Sequence, residues 1–162
     1  MANWRALSAV VFGVLTASVS LPRSQQAPTP VGCYRLELGP WSKRSLLPAR
    51  LDSAQVPPVA FRLDSAVADT GRPALKRAEP KNPRVTSGSP WPMWYRTGPH
   101  SVDVVWSTGF VGVKLRLVQA GDTLRGVAQT FTDTQLLGGP SAVAMAVRIP
   151  CSQMPAKWAY AR

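Results

Sequence analysis

The sequence predicts an all-β domain that closes into a single antiparallel up-and-down β-barrel of six to eight strands. Apolar and polar residues alternate in several separate segments, none of the segments after the N-terminal one has helical periodicity, and two cysteines bracket most of the chain. A sheet with one apolar face must close on itself or pack on a second sheet, so a β-sandwich is the alternative. The expected meander order favours the barrel, because closure also removes exposed strand edges.

Alternation with a period of two marks strands that bury one face. The first such segment places Tyr34, Leu36 and Leu38 on one face. The same pattern recurs in three later segments, at Val59, Phe61 and Leu63, at Val102, Val104 and Trp106, and at Val111, Val113, Leu115 and Leu117. A turn at 120–122 then predicts a hairpin, and a last strand is expected over 142–149.

Proline is concentrated in the middle of the chain. Eight of the sixteen prolines lie between Pro57 and Pro99, and none lies between His100 and Gly139. Proline lacks the N–H group that a strand ladder uses. We therefore expect a loop-rich middle, with most of the regular strands behind it.

The N-terminal segment has the features of a secretory signal peptide. Arg5 gives it a positive start, and Ala6 to Leu21 is an uncharged, mostly apolar run of about 16 residues. Ser18 and Ser20 supply the small residues of a cleavage site. An uncleaved membrane anchor is the alternative, but the run is shorter than the roughly 20 residues that cross a bilayer core. We expect a secreted or periplasmic protein.

In that oxidising compartment, Cys33 and Cys151 are expected to form one disulfide. The chain-entropy model values such a long closed loop at about 4–5 kcal/mol. Two separate buried thiols are one alternative. Lipidation of Cys33 is another, because Val31-Gly32-Cys33 resembles the end of a bacterial lipoprotein signal. The apolar run ends well before Cys33, which favours the disulfide.

These features divide the chain into four parts. They are a signal peptide at 1–20, a flexible linker at 21–32, the barrel domain at 33–151 with a proline-rich middle at 65–100, and a C-terminal tail at 152–162. The length beyond the signal suffices for one domain with its own core, and we expect a monomer.

The chain is strongly basic, with 19 Lys and Arg against 8 Asp and Glu and a net charge of +11. Such an excess favours anionic partners, among them components of a cell envelope. The basic residues are spread along the chain rather than gathered in one stripe, and export separates the protein from nucleic acid. We therefore expect no nucleic-acid partner, and solubility alone is the simplest interpretation of the charge.

Residue types that carry catalysis or bind metal are few. His100, Ser101 and Asp103 supply the three types of a hydrolytic triad. Successive side chains of an extended segment point to opposite faces, so these three do not converge. One histidine and two cysteines are too few for a metal site. The sequence predicts no catalytic residue, no metal and no cofactor, and an enzyme is the least favoured interpretation.

Three aromatic residues and an arginine lie within six positions of the chain. They are Trp91, Trp94, Tyr95 and Arg96. These side chains would form a stacking platform for a flat or amphipathic ligand at the rim of the barrel. Alternatively, the rings plug one end of the barrel, and Arg96 covers them with its aliphatic stem. Both interpretations stay open.

Gly32-Cys33-Tyr34 sets a glycine and an aromatic at the start of the first strand, and Arg148 is a basic residue in the last. In these residues the chain resembles the lipocalin or calycin barrels, whose first-strand motif is Gly-x-Trp and whose late arginine packs across that tryptophan. Tyr34 stands at the tryptophan position here. The resemblance implies a cavity for a small apolar molecule. In general style the chain also resembles small exported β-proteins of bacteria whose functions are unassigned.

The inferred barrel and its aromatic cluster predict a non-catalytic binding module for a small apolar or amphipathic ligand. Its rim would include Trp91, Trp94, Tyr95 and Arg96. The alternative is an envelope-associated interaction protein that binds an anionic polymer or a protein partner through its basic surface.

Overall fold

A computed structural model describes residues 29–42, 56–81, 91–132 and 139–156. Its eight strands are β1 (Gly32–Leu38), β2 (Ala60–Val67), β3 (Lys76–Glu79), β4 (Met93–Arg96), β5 (Ser101–Ser107), β6 (Val111–Ala120), β7 (Thr123–Thr132) and β8 (Ser141–Ile149), and a short 3-10 helix follows at Cys151–Gln153. Each strand pairs antiparallel with the next, and β8 pairs with β1. The sheet is a closed up-and-down barrel, which confirms the predicted fold class.

Several predicted segments lie outside the described residues. They include the whole signal peptide at 1–20, most of the linker at 21–32 and the end of the tail at 152–162. Of the linker's last residues, Gly32 already belongs to β1. Of the tail, the described part begins in the 3-10 helix.

The interior of the barrel is a packed core of side chains. Three aromatic rings lie in contact there: the Tyr34 and Phe61 centroids are 5.5 Å apart, and those of Phe61 and Trp106 are 5.6 Å apart in an edge-to-face arrangement. The core residues, each at most 4% exposed, are Tyr34, Leu36, Phe61, Leu63, Ala78, Trp94, Val102, Val104, Trp106, Val113, Leu115, Leu117, Leu124, Ala128, Ala144 and Ala146. An eight-stranded barrel has an interior just wide enough for side chains to fill, and these core residues occupy it.

The proline-rich middle at 65–100 contributes two short strands as well as loops. β3 and β4 have four residues each, and only Lys76 with Trp94 and Arg77 with Met93 are paired between them. The ladder between β2 and β3 also shifts its register between Leu63 and Val67. The middle therefore closes the barrel through its shortest strands.

Tyr34 and Arg148 pack on each other near one end of the barrel, where β1 begins and β8 ends. The Arg148 guanidinium lies 5.1 Å above the centre of the Tyr34 ring and donates a hydrogen bond of 2.8 Å to its hydroxyl. It also donates to the carbonyls of Val31 and Thr29, at 2.8 and 2.9 Å. Its Nε lies 3.2 Å from Oδ1 of Asp122, in the β6–β7 turn, as an ion pair without a hydrogen bond. Arg148 thus connects the last strand, the chain before the first strand and a hairpin turn.

Cys33 and Cys151 form the predicted disulfide across a sequence separation of 118 residues, with their Cα atoms 5.2 Å apart. Cys33 is 1% exposed and lies at the start of β1, and Cys151 follows β8 after Pro150. Because β1 and β8 are also paired, the covalent bond joins strands that already form a ladder. A cysteine in this bond has no thiol left for a lipid.

Candidate functional site on the outer face of the barrel

The structure separates the four residues that the sequence singled out. Trp94 points into the barrel, is 4% exposed, and donates a hydrogen bond of 2.8 Å from Nε1 to the carbonyl of Asp64. Tyr95, the next residue along β4, faces outward because neighbouring strand residues point to opposite faces. Arg96 is exposed at the end of β4 and donates 2.8 Å to the carbonyl of Pro99. Only Trp91 and Tyr95 come together.

Trp91 and Tyr95 line a groove of about 300 Å³ on the outside of the barrel, which we call the outer groove. Its walls come from Trp91, two residues before β4, and from positions on β4 to β7 that mostly face outward. The lining residues are Trp91, Tyr95, Val105, Lys114, Arg116, Gln129, Thr130 and Phe131.

Strand register explains why these residues meet. Val105 of β5 is paired with Lys114 of β6, which is paired with Gln129 of β7, so the three lie in one row across the sheet. A second row runs from Tyr95 through Asp103 to Arg116. Side chains in adjacent rows on one face are close enough to form a continuous surface.

Three polar side chains fix the edge of the groove. Lys114 Nζ lies 2.7 Å from Asp103 Oδ2 and donates 3.0 Å to the Tyr95 hydroxyl, which in turn donates 3.2 Å to Asp103 Oδ2. The Asp103 side chain is only 9% exposed, and that of Lys114 is 25% exposed. Burial would lower the pKa of Lys114, but its hydrogen bonds to Asp103 and Tyr95 outweigh this, and its pKa is raised. Lys114 is therefore fully charged at neutral pH.

Arg116 has no comparable partner. It is paired in register with Asp103, yet that carboxylate is taken by Lys114 and Tyr95. Among the residues that the structure describes, Arg116 makes no ion pair or side-chain hydrogen bond, and it is exposed. The groove consequently presents a guanidinium whose charge is not neutralised by any residue that the structure describes.

Phe131 forms the opposite, apolar wall. It is paired in register with Gly112, and a Cβ at Gly112 would meet the Phe131 ring at 2.6 Å as well as the carbonyl of Trp106. The glycine thus lets the ring approach β6 closely. Sequence reasoning missed Phe131, although a glycine inside a strand pattern is a signal for such a close approach.

Two other clefts have different chemistry. A cleft of about 490 Å³ lies beside the disulfide and contains Arg62, Arg77 and Lys81. Arg62 lies 3.9 Å from Glu79 and Arg77 lies 3.3 Å from Asp69, so these charges are largely compensated. A third cleft, of about 380 Å³, lies along β1 and β2. Neither has an aromatic residue among its lining residues, so the outer groove is the best candidate site in the described part of the chain.

The three residues of the triad pattern do not form a catalytic arrangement. His100 is exposed in the turn before β5, and Ser101 is the first residue of β5. Asp103 uses its carboxylate for Lys114 and Tyr95. The described residues also contain no group of three or more His, Cys, Asp or Glu side chains that would hold a metal ion.

The chain matches no protein-family model, and no curated protein and no solved structure match it. In the described ranges, none of the helical structure has the length and apolarity that a membrane-crossing helix requires.

Proposed function

We propose that this chain is an exported, non-catalytic binding module that holds a small amphipathic ligand in the outer groove. The observation that carries the proposal is the groove itself, where the rings of Trp91, Tyr95 and Phe131 meet the cations Lys114 and Arg116 on one face. Small-molecule sites are typically concave, mostly apolar and equipped with a few convergent polar groups.

The position of the groove on strands supports a preformed site. Tyr95, Asp103 and Lys114 hold one another through short hydrogen bonds, so the ring of Tyr95 does not need to be ordered by the ligand. Side chains that are already fixed lose little conformational entropy on binding. The barrel interior, in contrast, is occupied by packed core side chains in the described part of the chain.

A lipocalin-like relationship is part of the proposal. Its supports are the eight-stranded meander barrel and the packing of Arg148 across Tyr34, which parallels the arginine and tryptophan of that family. In this chain, however, the proposed site lies on the outside. Export is supported by the disulfide, because such bonds persist in oxidising compartments.

Nuclear magnetic resonance titration with 2-naphthalenemethanol, a neutral amphipathic aromatic, tests the proposal. We expect shifts at the backbone amides of Val105, Lys114 and Gln129. Phe131→Ala should weaken binding at least about fivefold, because it removes apolar contact area worth roughly 1 kcal/mol or more.

Phe110→Ala is the matched control, since Phe110 is 70% exposed in the β5–β6 turn and does not line the groove. It should leave the affinity unchanged. Shifts confined to inward residues such as Ala128 and Ala144, or equal effects of the two phenylalanine variants, would contradict a site in the outer groove.

A second candidate function is binding of an anionic envelope polymer or of an acidic protein partner through the basic surface. It is favoured by Arg72, Arg116 and Arg125, which are exposed and make no ion pair with any described residue. Retention on dextran sulfate resin should then fall steeply as salt is raised, because exposed charges are screened. Retention that does not depend on salt would count against this function.

A further inference from the structure

The charges of the outer groove are unbalanced. Two of its eight lining residues are basic, and none is acidic. Asp103 adjoins the groove, but its carboxylate is 9% exposed and already bound by Lys114 at 2.7 Å and by the Tyr95 hydroxyl at 3.2 Å. One buried negative charge thus stands against two positive charges, and the surplus charge is that of Arg116.

The geometry shows that Arg116, rather than Lys114, is the cation without an acidic partner among the described residues. Lys114 and Arg116 are both outward residues of β6, two positions apart, and both lie next to Asp103. Asp103 pairs with Lys114 because the ammonium is partly buried and needs a compensating charge more than an exposed guanidinium does. Among the described residues, none takes up the planar fork of donors that Arg116 presents at the edge of the apolar groove.

We infer that the ligand of the outer groove is a small planar aromatic carboxylate, with its ring between Trp91, Val105 and Phe131 and its carboxylate paired with Arg116. This inference rests on the proposed function and specifies its ligand class. A volume of about 300 Å³ admits one or two fused rings but not a large molecule. The guanidinium fork matches the two oxygens of a carboxylate, which distinguishes arginine from a lysine point charge.

Arg116 is exposed, and this exposure limits how much an ion pair with it can add to the affinity of the ligand. Ion pairs between exposed groups contribute little, whereas charge-assisted bidentate hydrogen bonds at the edge of an apolar site contribute more. We therefore expect the carboxylate to improve affinity by about five- to tenfold over a neutral group on the same ring.

The experiment compares naphthalene-2-carboxylate with 2-naphthalenemethanol, which has the same ring system and no charge. Dissociation constants are measured by nuclear magnetic resonance titration at physiological ionic strength on the unaltered protein, Arg116→Gln and Arg72→Gln. Arg72→Gln is the matched control, because it removes the same charge from an exposed arginine that does not line the groove.

We expect the carboxylate to bind the unaltered protein about five- to tenfold more tightly than the alcohol. Arg116→Gln should remove this preference, so that the carboxylate and the alcohol bind that variant within about twofold of each other, and Arg72→Gln should preserve the preference. If the alcohol binds in the groove and the carboxylate binds no more tightly, the inference fails while the proposed function stands. Equal losses in the two arginine variants would attribute the preference to overall charge and also overturn the inference. If neither probe binds in the groove, both the inference and the proposed function fail.

Discussion

At the scale of single residues, Tyr34 combines an apolar role, as a buried core ring, with a polar one, as a hydrogen-bonding hydroxyl. Its ring is a fully buried part of the core, and its hydroxyl donates 2.8 Å to the carbonyl of Pro30 while it accepts a hydrogen bond from Arg148. Burial raises the pKa of the Tyr34 phenol, and the neighbouring Arg148 only partly offsets this. The folded protein therefore holds the phenolic proton more tightly than the unfolded chain does.

This raised pKa predicts a loss of stability in alkali. The contribution is fully present below about pH 10, the unfolded value for tyrosine, and is lost as pH rises through the higher folded pKa. Tyr34→Phe should lower the free energy of unfolding by about 1–2 kcal/mol at pH 8, because it removes the hydroxyl that donates to the Pro30 carbonyl and accepts from Arg148. The difference from the unaltered protein should then shrink above pH 10 in urea unfolding experiments.

Tyr160→Phe is the control, because it removes a phenol from the C-terminal tail at 152–162 and leaves both Tyr34 and the Lys114 hydrogen bond to Tyr95 in place. It should retain the alkaline decline of the unaltered protein. An equally steep decline in Tyr34→Phe would show that other groups cause the loss.

At the scale of elements, the strands with strict alternation were predictable and β4 was not. Trp94 and Tyr95 are adjacent aromatics, so either one satisfies an inward position, and a shift of one residue exchanges the two faces of a strand. The pairing with β5 determines which of the two aromatic residues faces inward, because Val104 is paired with Trp94 and Asp103 with Tyr95. Asp103 cannot face an apolar core without a partner, so the tyrosine goes outward with it.

Only part of the outer groove could be predicted from the sequence. The β6–β7 hairpin was predicted from its turn, and its register alone pairs Gly112 with Phe131 and Lys114 with Gln129. The contact of this hairpin with Trp91 was not predictable, because it depends on how the proline-rich middle returns to the sheet. Local pairing follows from local sequence, whereas the meeting of distant segments depends on the closed barrel.

At the scale of the whole molecule, the disulfide and the pairing of β1 with β8 close the barrel at the same place. Without the covalent bond, the unfolded chain would regain the freedom of a loop that spans 118 residues in sequence.

We expect the double variant Cys33→Ala/Cys151→Ala to lose about 4–5 kcal/mol of unfolding free energy, measured by urea denaturation. Reduction of the unaltered protein should give a similar loss, and reductant should have no effect on the double variant. Equal stability of the oxidised protein and the double variant would contradict the expected role of the disulfide.

The short ladder between β3 and β4 has a mechanical consequence. This ladder has two paired positions, whereas the β6–β7 ladder has ten, so the circumference of the barrel is weakest there. Local opening in proteins begins where the fewest contacts must break. The proposed ligand of the outer groove would contact β4 together with β5 to β7, and the disulfide lies at the junction of β1 and β8. Neither the ligand nor the disulfide would bridge β3 and β4. We therefore expect the β3–β4 ladder to separate first when the barrel is heated or pulled.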